Sequence, residues 1–155
     1  MWMVLALCLG SCGGSQEATE LVFYLQAIQR FQPYNQQVQH YIEFFEAPGR
    51  PVTRTEIAGA RTLLAEYSQA VESLSLTSYK GADLREAHNF YVLSCQRAQQ
   101  LSADTTGNLQ QQTRTAVYAL HTLRAYITGR FYQGLGVILT RQKATGNLQP
   151  PAWPE

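Results

Sequence analysis

The sequence predicts an all-α protein, a four-helix up-down-up-down antiparallel bundle, and three observations carry that expectation. Apolar residues recur at three- and four-residue steps through four segments. Short breaks rich in Pro, Gly and Asn separate those segments, which favours antiparallel neighbours. Charge is also divided between the outer segments, acidic in the first and basic in the last. At 155 residues the chain is the size of one domain and needs no metal or disulfide to hold its core.

The first helix is expected from about Gln16 to Glu46, with Leu21, Leu25, Ile28, Phe31, Val38, Ile42 and Phe45 on its inner face. Pro33 lies inside it. A proline removes one backbone hydrogen bond and collides with the carbonyl four residues back, so a kink is expected near Gln29 to Gln32. Pro48-Gly49-Arg50-Pro51 then stops the helix. The second begins at Thr53-Arg54-Thr55-Glu56, where the Thr53 hydroxyl and the Glu56 carboxylate can each satisfy the other's backbone amide. Behind this capping box Ile57, Ala60, Leu64, Tyr67, Val71 and Leu74 form one seam. The third, about Asp83 to Ala103, uses Leu84, Ala87, Tyr91, Ser94, Ala98 and Leu101, flanked by His88 and Cys95. The fourth follows Gly107-Asn108 with Leu109, Ala116, Leu120, Leu123, Ile127, Phe131 and Ile138.

Hydrophobic residues make up 45% of the chain and charged ones only 15%, so its polar face must come from elsewhere. Gln36-Gln37, Gln99-Gln100 and Gln110-Gln111-Gln112 supply it while keeping helix propensity. A formal net charge of +1 provides no field to hold a polyanion, which argues against nucleic acid as a partner. Glu17, Glu20, Glu43 and Glu46 in the first helix face Arg114, Arg124, Arg130, Arg141 and Lys143 in and after the fourth, so these two helices are expected to attract as neighbours. Exposed pairs contribute about 0–1 kcal/mol each, enough to select an arrangement rather than hold it.

Trp2 to Leu9 is an apolar run far shorter than the roughly 20 residues that span a bilayer. It ends in Leu9-Gly10-Ser11-Cys12 and is followed by Gly13-Gly14-Ser15. This pattern resembles the lipobox of bacterial lipoprotein signal peptides: a branched apolar residue, two small ones, then Cys. The resemblance implies that the Cys12 thiol receives a diacylglycerol and that the chain is cut just before it. The implied organisation is a signal peptide at 1–11, a lipidated Cys12 and flexible tether at 12–16, a bundle at 17–145 and an extended Pro-rich tail at 146–155. Gly13 after the lipidated Cys implies sorting to the periplasmic face of the outer membrane. Met1-Trp2-Met3 lacks the Lys or Arg with which such leaders open, so an unprocessed soluble helical protein stays open as another reading. Cleavage would remove Cys8 and acylation would consume Cys12, leaving Cys95 without a disulfide partner.

The domain itself offers little chemistry. His40, His88 and His121 fall on three helices, but no Glu-x-x-His pair accompanies them, and they are expected as surface or rim residues rather than metal ligands. Cys95, on the core side between Tyr91 and Ala98, is expected as a desolvated thiol rather than a nucleophile activated by His88. No catalytic residue, cofactor or metal is assigned. At 100° per residue Arg130 and Arg141 align while Arg114 and Arg124 do not, which reads as a scattered solvated set. Gly129, Gly134 and Gly136 are costly in a helix and mark either close approach of a neighbour, loosened last turns or a partner-docking face. Nine tyrosines exceed what a core needs, and most are expected at the bundle rim. Trp153 in the tail is expected on a free end. The leading expectation is a non-enzymatic envelope lipoprotein presenting one face to another envelope protein, with a small-ligand or metal-binding bundle as the alternative.

Overall fold

A computed structural model of the chain describes residues 12–141 and 149–154, with side chains from residue 16 onward; the proposed signal peptide, 1–11, lies outside the described residues. The fold is all-α. Its elements are α1 (Cys12–Gln29), α2 (Gln32–Glu46), α3 (Arg54–Glu72), α4 (Ala82–Ser102), α5 (Leu109–Tyr126), a π-helical turn (Ile127–Phe131) and α6 (Tyr132–Arg141).

Two of the expected helices are divided. Pro33 does not kink a continuous first helix; it sits in the first turn of α2, where its missing N–H costs nothing. The intervening Arg30-Phe31 forms a tight turn, with the Phe31 amide donating to Ile28 O (3.0 Å) and the Asn35 amide to Phe31 O (3.1 Å). The fourth helix is interrupted by the π turn, where the Tyr132 amide reaches back to Ile127 O. Its cause is visible in the spacing. Leu123, Ile127, Phe131, Leu135 and Leu139 are all buried and all four residues apart. An α-helix overshoots a full turn by about 40° at each four-residue step, so one inserted residue is needed to bring the stripe back to the core. At the other end, α1 starts at Cys12, so the residues expected as a tether are helical. Once the packed face from Leu21 to Ile28 has nucleated the helix, each further residue gains a backbone hydrogen bond.

The second and third helices follow their sequence signals. Thr53 and Glu56 make the reciprocal capping box, and Ile57, Ala60, Leu64, Tyr67 and Val71 are buried behind it. Asn108 and Gln111 form a second box at the start of α5, preceded by Gly107 at φ 85°, a backbone geometry that favours glycine. At the far end of α4, Arg61 from α3 donates to the carbonyls of Ser102 and Asp104 (both 2.7 Å), satisfying acceptors the helix leaves open.

α4 packs along both α3 and α5, α2 packs against α5 and α3, and the π turn and α6 lie on α4. Leu, Ile and aromatic side chains from every helix meet in one core. At roughly 1.5–3 kcal/mol per buried large side chain, this burial dominates the stability. The tail returns to that core instead of ending free. Trp153 packs on it and donates from Nε1 to Gln39 Oε1 (3.1 Å), while Gln32 Nε2 donates to Ala152 O (3.3 Å). An indole needs both apolar cover and an acceptor, and α2 offers the two together.

Candidate interaction face

The histidines do not converge. His88 is buried, not at the rim, and Tyr24 Oη lies 3.0 Å from its Nδ1. Burial, then the positive charge of Arg30, lowers its pKa from 6.5. His121 Nε2 lies 2.7 Å from Glu46 Oε1 at the exposed junction of α5 and α2, and the His40 ring lies against Tyr41. Among the described residues no three His, Cys, Asp or Glu side chains gather to hold a metal.

Cys95 is buried, and that burial, with the Glu72 carboxylate second, pushes its thiol well up. His88 is engaged by Tyr24 rather than by the thiol. Most tyrosines do lie at the rim, but three do not: Tyr67 and Tyr91 sit on the seams expected of them and Tyr24 joins them inside. Tyr24, Tyr67 and Tyr91 are wholly enclosed, and Tyr67 donates to Asn35 Oδ1 (2.5 Å). Having spent its one proton there, Tyr67 can only accept from Tyr91, which lies within hydrogen-bond reach. Asn35 Nδ2 in turn donates to Tyr132 Oη (2.9 Å). Four residues from α2, α3, α4 and α6 thus form one polar knot. Burial raises the Tyr67 and Tyr91 phenols well above their ordinary value and pushes Tyr132 up to about 12, so all three stay neutral. The Asn35 signal was a single polar residue on the face that carries Val38 and Ile42.

Arg130 and Arg141, expected among scattered solvated arginines, come together along one groove of about 410 Å³ between α4 and α6. Its floor is Ala87, Phe90, Phe131 and Ile138. Asp83 and Glu86 stand on the α4 side, and Arg141 Nη1 meets Asp83 Oδ2 at 3.4 Å across one end. Val137 on the α6 rim is 50% exposed, and Leu93, one turn of α4 beyond Phe90, is 61% exposed. No protein-family model, curated protein or solved structure matches the chain.

Gly134 lines this groove, and a Cβ built on it, as on Gly129 and Gly136, meets nothing within 4 Å. Close approach of a neighbouring helix inside the chain is therefore not what these glycines serve. Gly129 instead lies within the π turn, which fits the loosened turns expected of it. The acidic wall went unread in the sequence. Asp83, Glu86, Phe90 and Leu93 follow three- and four-residue steps, an outward stripe on the side of α4 away from its buried seam.

Proposed function

We propose that the chain is a membrane-anchored envelope lipoprotein whose helical domain is non-enzymatic and presents the α4–α6 face to a protein partner. The observation that carries this reading is Leu9-Gly10-Ser11-Cys12 at the close of an N-terminal apolar run. In this reading Cys12 carries the acyl chains, palmitate among them, and seats the domain on the periplasmic face of the outer membrane. More than one chain is required, because a single acyl chain gives only marginal, reversible membrane binding. No helix among the described residues is long and apolar enough to cross a membrane.

The domain's arrangement is the up-down-up-down bundle, with α1 and α2 as the first rod and α5, the π turn and α6 as the last. The ring of neighbours α2, α3, α4 and α5 supports it, as does the Glu46–His121 pair between the first rod and the last. A non-enzymatic role is supported by the burial of Cys95 and the engagement of His88 with Tyr24. The exposed Val137 and Leu93 beside the groove supply the apolar contact that a partner covers. Metabolic labelling with palmitate tests the anchor. Label is expected on the native chain and absent from Cys12→Ala; an unlabelled native chain would remove the proposal.

A further inference from the structure

The α4–α6 groove is self-complementary in charge, and we propose that its partner is a second copy of this chain, docked groove to groove about a twofold axis running along the groove. This deepens the interaction-face reading above and rests on it. Asp83 meets Arg141 at one end, while Phe90 lies against Tyr126 and beside Phe131 at the other, so α4 and α6 run antiparallel along the groove. One long wall is acidic, with Asp83 and Glu86, and the other basic, with Arg130 and Arg141. In a twofold interface each patch meets its own image. A dyad across the groove would set acid on acid and base on base. A dyad along it puts the acidic wall of each copy against the basic wall of the other at the same height, with Asp83 facing Arg141 of the second copy.

A uniformly anionic or cationic ligand would meet one attractive wall and one repulsive one, whereas a second copy meets two attractive ones. The net charge of +1 leaves little general repulsion between copies. Val137 on the rim and Phe90 on the floor supply apolar area to be covered between the walls. The same axis keeps equivalent atoms of both copies at one level along the groove, so both Cys12 residues leave the dimer at the same end. Two chains anchored in one membrane surface meet that condition, and anchoring raises the effective concentration of each for the other.

The test is sedimentation equilibrium of the full chain, solubilised from its membrane in a density-matched non-ionic detergent. The native chain is expected as a dimer that weakens with added salt, since its charges are exposed and screened. Asp83→Arg and Arg141→Asp each place like charges face to face and are expected to weaken dimerisation about tenfold or more. Mixed in equal amounts, the two variants restore both attractive pairs and the dimer returns. Each variant also breaks the pair within its own chain, but mixing cannot repair that pair, so recovery reports contact between copies. Gly134→Leu, which fills the groove without meeting any atom of its own chain at Cβ, is expected to weaken the dimer as well. Circular-dichroism melts of the variants confirm that they fold. A native chain that stays monomeric at every concentration overturns the proposal, as do single variants that remain dimeric or a mixture that remains monomeric. Mass measurement of Cys12 on the same sample keeps the anchor separate: a dimer without acyl chains retires the anchor and leaves the docked groove.

Discussion

Asn35 is the residue on which the polar core turns, since it holds Tyr67 through its carbonyl and Tyr132 through its amide. Replacing it with Leu leaves phenols buried without their partner, at about 1–3 kcal/mol for each orphaned group. Asn35→Leu is therefore expected to lower the thermal midpoint by several degrees, read by circular dichroism, whereas Tyr118→Leu on the exposed surface leaves it nearly unchanged. His88 sets a pH dependence of defined sign. Its folded pKa lies below 6.5, so on acidification the unfolded chain takes up a proton that the folded chain refuses. Its contribution is complete above about pH 6.5 and is lost as pH falls from there through the folded pKa. Melts at about pH 7.5 and pH 5 should show this loss, and His88→Gln should flatten it. Little of this was legible beforehand. The seam spacing located Tyr67 and Tyr91 and the core side of Cys95, but whether a His or Tyr is enclosed depends on which neighbouring side chains offer it a partner. Those partners, Tyr24 for His88 and Asn35 for Tyr67, are 64 and 32 residues away in sequence.

At the scale of helices the local signals were strong wherever they were chemical rather than statistical. The Thr53 box and the Asn108 start each depend on a few adjacent residues, and each helix begins there. Thr53→Ala is expected to cost about 1 kcal/mol, measured as a shift in the urea midpoint with unchanged slope. Gly134→Ala should have the opposite sign. Its new methyl meets nothing within 4 Å, so the helix gains up to about 1 kcal/mol and a fall in the midpoint would refute the open surface described for it. The sequence also held the mark of the π turn, in the unbroken four-residue steps from Leu123 to Leu139, because no straight α-helix keeps such a stripe on one face. Pro33 was equally informative about where the first rod yields. It could not distinguish a kink from a break, since that depends on whether Phe31 turns inward to join Tyr67 and Tyr91, as it does.

The whole molecule joins a helical core to an N-terminal sequence that, in the proposed reading, is its membrane anchor. Two polar pairs join its faces: Glu46 with His121 between α2 and α5, and Asp83 with Arg141 across α4 and α6. Both pairs are exposed and add little to stability, so their consequence lies in which surfaces come together. The attraction foreseen between the acids of the first helix and the arginines of the fourth is not the one that forms: among the described pairs Arg141 meets Asp83 of α4, Glu46 lies against His121, and Glu20 accepts from the Lys80 and Gly81 amides. Membrane attachment in the proposed reading depends on one atom, the sulfur of Cys12. Intact-mass and N-terminal peptide mass spectrometry of the chain from its native host, beside Cys12→Ala, tests it most directly. The native chain is expected to begin at Cys12 and carry the added mass of a diacylglycerol, and the Cys12→Ala chain to be neither cut nor acylated. A native chain that keeps Met1 and an unmodified thiol at Cys12 would contradict that reading.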